Sequence, residues 1–123
     1  MKSSSDPRHI RRQHLIQDLF KTEFHTQSVS PITKPILEKI EELDAIIKQI
    51  APEFEIEKIN RVDLAILRLA VYELTVQKSE PPHVIVDEAI ELAKEFSGES
   101  SPAFVNGALG NLLKHENNTN ISE

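Results

Sequence analysis

Val62-Asp63-Leu64-Ala65-Ile66-Leu67-Arg68-Leu69-Ala70-Val71-Tyr72-Glu73-Leu74 is the most apolar stretch of the chain and decides its fold class. Nine of these thirteen residues are aliphatic and leave almost no polar face. A helix apolar nearly all round belongs in the centre of a fold, so a helix over about 60–78 is expected to be covered on all sides. The charges within it, Arg61, Asp63, Arg68 and Glu73, then need partners. Asp63 and Arg68 are five apart, too far to pair along one helix, so each is expected to meet a neighbouring element. Arg68 is assigned to the acidic helix that follows. Tyr72 is expected to bury its ring and to hydrogen-bond its hydroxyl.

Upstream, Ile36, Ile40, Leu43, Ile47 and Ile50 alternate at steps of four and three, which predicts one helix over about 31–51, ended by Pro52. Phe54 and Ile56 are expected to anchor the connection that follows, with a short turn near 53–58. Farther upstream, Asp6-Pro7 has the form of an N-cap and first helical residue. Leu15, Ile16, Leu19, Phe20 and Phe24 then carry a helix to about His25. Gln27 to Ser30 forms a loop.

Downstream, Pro81-Pro82 breaks the chain and opens a helix to Phe96. It turns Ile85, Ala89, Leu92, Ala93 and Phe96 inward and Asp87, Glu88, Glu91 and Glu95 mostly outward. Gly98 stands just past its end. Ser101-Pro102 repeats the cap-and-proline start, and a last helix runs to about Lys114. No segment alternates with period two for long. The pattern is an all-α, compact helical bundle of five to seven helices. A flexible N-terminus over 1–7 and a flexible C-terminal tail over 115–123 flank a single helical domain, 8–114.

Among 123 residues there is no cysteine, which excludes disulfides, Cys-ligated zinc, iron–sulfur clusters and a cysteine nucleophile. The five histidines show no i, i+4 metal spacing, and no Gly-rich phosphate loop or GxSxG is present. The expectation is a non-enzyme with no metal and no cofactor. No signal-peptide pattern and no apolar run of membrane-spanning length occurs, so the chain is read as cytoplasmic, with no membrane partner. The sequons at Asn117 and Asn120 then carry no meaning.

The net charge of −6 hides a division. Residues 1–21 hold Lys2, Arg8, Arg11, Arg12 and Lys21 against Asp6 and Asp18, a balance of +3, and the remainder holds 9 cations against 18 acids. Arg8, Arg11 and Arg12 share one helix face at i, i+3 and i+4, in turns where cations oppose the helix dipole. Helix stability alone would favour acids there. Forked guanidinium donors at a helix N-terminus suit phosphates. A solvated basic end that pairs with the protein's own acids accounts for the same residues, and on this pattern alone both remain open. Within the last helix, Gly107 and Gly110 each cost about 1 kcal/mol against alanine. Either tight helix packing or a partner resting near Asn106 would account for them. Phe104 is core or a stacking platform for a base.

Arg61 through Leu74 is similar to the central-helix signature of the NusB family. Val86-Asp87-Glu88-Ala89-Ile90-Glu91-Leu92-Ala93-Lys94-Glu95-Phe96 resembles its next helix, and Phe104-Val105-Asn106-Gly107-Ala108-Leu109 its FVNG-x-L signature. The three occur in the family's order and spacing, and the resemblance covers most of residues 8–114. It implies two small helical subdomains and a transcription antitermination factor that binds boxA-type RNA of ribosomal RNA operons with NusE, a small-subunit ribosomal protein, within the RNA polymerase antitermination complex. A homodimer of the chain alone stays open, as does a protein–protein adaptor or self-associating scaffold of the same fold. By position the resemblance places Arg8, Arg11, Arg12, Phe104 and Asn106 at RNA, and Phe20 and Glu73 toward the protein partner. The chain departs from the family in its short region before Arg61, in Phe20 where a Tyr is usual, in Asp87 where Asn is common, and in Ala108-Leu109-Gly110. The same domain precedes the catalytic domain of some RNA cytosine methyltransferases, whose glycine-rich loop and cysteines are missing here.

Overall fold

The computed structural model describes residues 6–22 and 30–121, the last six of them by backbone alone. The expectations for the first five residues, for Phe24, for the first helix beyond Thr22 and for most of the Gln27–Ser30 loop lie outside them. The described residues form six α-helices and no strand. Helix α1 spans Pro7–Lys21, α2 Lys34–Leu37, α3 Ile40–Ile50, α4 Arg61–Tyr72, α5 Pro82–Phe96 and α6 Ser101–Ile121. Helix α6 thus continues past the expected end at Lys114.

Helix α4 is the hub, packed against α1, α2, α3, α5 and α6. Everything from Asp63 to Val71 is buried, including both charges. Asn60 caps the helix by accepting from the amides of Val62 at 2.8 Å and Asp63 at 3.2 Å. Asp63 accepts from Ser97 Oγ at 2.6 Å and Ser101 Oγ at 2.9 Å, and so ties α4 to the junction between α5 and α6. Arg68 forks onto Asp44 of α3 at 2.9 and 2.8 Å, whereas the acidic α5 was the expected partner. Tyr72 buries its ring only in part.

Helix α4 ends in one π-helical turn, Glu73–Gln77. The Lys78 amide bonds the Glu73 carbonyl at 2.8 Å, and Lys78 itself is left-handed at φ 52°. The expected single helix over 31–51 is two. Pro35 lacks the amide that a helix beginning at 31 would need, so it sits in the first turn of α2. The Lys39 amide then bonds the Ile36 carbonyl at 3.0 Å, a tightened turn that separates α2 from α3. Ile36, Leu43, Ile47 and Ile50 are buried on both sides of the break.

Three further expectations change. Phe96 ends α5 at 37% exposure, while Glu88, expected outside, is buried. Ile56 reaches the core in a 3-10 turn, Ile56–Lys58, but Phe54 stays 46% exposed. Gly107 and Gly110 face solvent, and a Cβ at either would meet nothing within 4 Å, so tight packing does not account for them.

Candidate nucleic-acid interface

Asp6 opens α1 by accepting from the Arg8 amide at 2.8 Å, a bond that holds its carboxyl below the usual range. The apolar stripe of α1, Leu15, Ile16 and Leu19, continues toward the N-terminus through His9 and Arg12, which are each only 3% exposed. The three arginines therefore divide. Arg8 and Arg11 project into solvent, and Arg12 does not.

The Arg12 guanidinium is enclosed by carboxylates. Its Nε donates to both oxygens of Glu73 at 3.0 Å, its Nη1 to Glu88 at 3.2 Å, and its Nη2 to Glu80. Burial acts to lower its pKa, but attraction to Glu73 and Glu80 outweighs this and raises it. Burial raises the Glu73 carboxyl above its ordinary value, against the opposing pull of Arg12. Arg12, expected at RNA, and Glu73, expected toward a protein partner, are thus committed to each other inside the molecule. The reason is register: both lie on the inward arc of their helical segments.

His9 is the residue that sequence reasoning missed. Its Nδ1 lies 2.8 Å from Glu88 Oε2, and its Nε2 lies 2.9 Å from Glu95 Oε1. Burial pulls its pKa down, but the hydrogen bonds to Glu95 and Glu88 prevail and raise it. The exposed Arg8 sets its Nη1 3.1 Å from Glu80 Oε1. Arg8, Arg11, Gln77 and Ser79 line a cleft of about 320 Å³ whose floor is the Arg12–Glu73–Glu80 cluster. An anion entering it meets the exposed Arg8 and Arg11 above carboxylates that Arg12 already bonds.

Phe104 and Asn106 stand on α6, which packs on α4 as α1 does. Phe104 is half-buried and meets Phe54 edge to face, with centroids 5.3 Å apart and planes at 88°. The two rings flank a pocket of about 290 Å³ together with Lys58 and Asn60. Asn106 is exposed beside the bare backbone of Gly107. Phe20 lies elsewhere, half-buried in an apolar groove of about 520 Å³ with Ile16, Ile32, Val62 and Phe96. Among the described residues no helix is long and apolar enough to cross a membrane.

Residues 6–114 match the model of the NusB family. The chain belongs to the NusB family. A transcription antitermination protein NusB of Clostridium botulinum is 48% identical over 85 residues, which are 69% of this chain and 59% of that relative. The chain thus matches less than two thirds of the length of such a NusB relative. A solved NusB of T. maritima superposes with a TM-score of 0.77 at 30% identity, covering 93% of each chain. NusB in a solved complex of antitermination factors NusB and NusE with double-stranded RNA shares the fold, with a TM-score of 0.75 at 22% identity, over 89% of this chain and 99% of that one.

Proposed function

We propose that this NusB-family chain is a non-enzymatic, cytoplasmic RNA-binding antitermination factor that binds boxA-type RNA of ribosomal RNA operons together with the ribosomal protein NusE, within the RNA polymerase antitermination complex. The observation that carries the proposal is the presentation of Arg8 and Arg11 at the N-terminus of α1. Their guanidinium groups point outward at the positive end of a helix, where phosphates are favoured twice, by charge and by dipole. The solved fold relative bound to NusE and double-stranded RNA agrees with this class of ligand.

The roles divide by exposure. Arg8 and Arg11 meet phosphates, and Arg12 supports them from below. Phe104 offers a ring face and Asn106 an amide for bases, beside open backbone at Gly107. The groove holding Phe20, Ile32 and Phe96 takes the protein partner. Residues 8–114 form the RNA-binding unit. The apolar groove also fits the adaptor reading, in which the chain holds a protein and no RNA, or a second copy of itself.

Titrating labelled boxA-type RNA with and without NusE at two salt concentrations separates these readings. Salt-sensitive binding, strengthened by NusE and weakened by Arg8→Ala and Arg11→Ala, supports the proposal. Unchanged affinity and salt slope in both variants would remove the arginine face from it. NusE binding without any RNA binding would leave the adaptor.

A further inference from the structure

The first two turns of α1 carry the exposed arginines, and the residues buried there, His9 and Arg12, make ionic contacts. His9 meets a carboxylate at each ring nitrogen, at 2.8 and 2.9 Å. A carboxylate only accepts, and a neutral imidazole has one N–H to give. With a neutral ring and two ionised carboxylates, one of these contacts would set a lone pair against a negative charge. The geometry therefore needs one proton beyond that count. The ring holds it as imidazolium, donating to both carboxylates.

We infer that His9 is a charge-dependent positioning residue for the RNA face: clamped between Glu88 and Glu95 of α5, it fixes the rotation and seating of the start of α1, so that Arg8 and Arg11 project outward. This rests on the RNA-binding reading above.

The surroundings are charged on every side. From α5 come Glu88 and Glu95. From α1 itself, Arg12 donates to the other oxygen of Glu88, and Gln13 donates to Glu95 at 3.2 Å. Beyond α4, Glu73 and Glu80 reach the cluster through Arg12, Glu80 also pairs with Arg8, and Arg11 attracts Glu73 from outside. Four cations, His9, Arg8, Arg11 and Arg12, thus stand against these four carboxylates. Loss of the extra proton removes one of the four, loosens the clamp and leaves a negative excess beneath the site meant for phosphates.

The direction with pH follows from linkage. The folded state holds this proton more tightly than the unfolded chain, where histidine titrates near 6.5. The contribution of His9 is complete below that value and is lost as pH rises through the higher folded value. RNA affinity falls across the same window, by no more than about tenfold per pH unit, the limit for one linked proton.

The test is the affinity of fluorescein-labelled boxA-type RNA for the chain with NusE, measured from pH 6 to 9, alongside the NMR titration of the His9 ring. In the wild type, affinity drops with a midpoint that matches the ring. His9→Gln, which keeps a hydrogen bond without the charge, stays flat at the wild type's high-pH level. Glu95→Gln removes one carboxylate from the more exposed side of the clamp and shifts both midpoints to lower pH together. Circular dichroism confirms that each variant is folded. Wild-type affinity that ignores the His9 titration, or a Glu95→Gln profile in which the ring midpoint moves and the affinity midpoint does not, would overturn the inference while leaving RNA binding intact. Absence of RNA binding by the wild type at every pH would overturn the functional reading, and this inference with it.

Discussion

Replacing Arg12 by leucine isolates the buried ionic cluster. The leucine fills much of the space but leaves the buried Glu73 without its main cation, and strips Glu80 and the buried Glu88 each of one of their two, leaving them Arg8 and His9. Removing one partner of a buried pair costs about 3–5 kcal/mol, because the stranded charge cannot recover its hydration. Against a domain stability of about 5–15 kcal/mol this is about a fifth of the total or more. With a urea slope near 2 kcal/mol per molar, the unfolding midpoint read by circular dichroism falls by roughly 2 M. The loss also depends on acid. Burial already raises the Glu73 carboxyl, and without Arg12 the opposing pull is gone. A carboxyl whose folded pKa lies above its unfolded one takes up a proton on folding, so the penalty in Arg12→Leu shrinks as pH falls through that folded value. Adding Glu73→Gln restores part of the stability at neutral pH. A loss below about 1 kcal/mol, the size of a solvent-exposed pair, would refute the burial of this guanidinium.

Other substitutions separate surface from interior. Arg11→Ala is expected to leave the urea midpoint unchanged while weakening RNA uniformly and lowering the salt slope by about 1, as read by anisotropy at several salt concentrations. Gly107→Ala and Gly110→Ala each gain about 0.5–1 kcal/mol in thermal or urea unfolding, since a methyl group there meets open space; a loss would contradict the open surface. If Gly107→Ala also weakens RNA, the bare backbone beside Asn106 is in contact with it. Phe96→Ala, at the exposed rim of the groove, costs about 1 kcal/mol or less of stability yet weakens NusE in calorimetry; unchanged NusE affinity would remove this groove as the partner site.

The elements were legible where a residue type has one physical meaning. Pro7, Pro82 and Pro102 all stand in first turns, and the aliphatic run of α4 is enclosed as its pattern demands. The break before Ile40 was not legible, because Ile36 and Leu43 keep the apolar spacing through a tightened turn, and hydrophobic periodicity cannot see a hydrogen bond that shifts by one residue. The π-turn at Glu73–Gln77 is hidden for the same reason. The ionic cluster was misplaced by a different habit, that of ending an apolar stripe at the first charge. Arg12 precedes Leu15 by three, and Glu88 lies three after Ile85 and four before Leu92, so each charge lies on its helix's buried face. A cation on one buried stripe and acids on others was the available signal.

A buried ionic cluster is a weak source of stability, and an apolar one of equal volume would hold α1 at least as firmly. What apolar packing lacks is angular discrimination. Leucines at positions 9, 12, 73 and 88 would tolerate a helix rotated by part of a residue step, and one full step about the axis, roughly 100°, would carry Arg11 toward the interior. Forked donors on Glu73, Glu80 and Glu88 and a ring spanning Glu88 and Glu95 accept one rotation only, since every other leaves a buried charge unpaired. The cluster also reconciles an acidic chain with the RNA ligand proposed for it. The buried carboxylates Glu73 and Glu88 bond Arg12 and His9, and Glu80 is shared between Arg12 and the exposed Arg8, so the acids beneath the arginine face are largely neutralised from within while they set where the outward cations point.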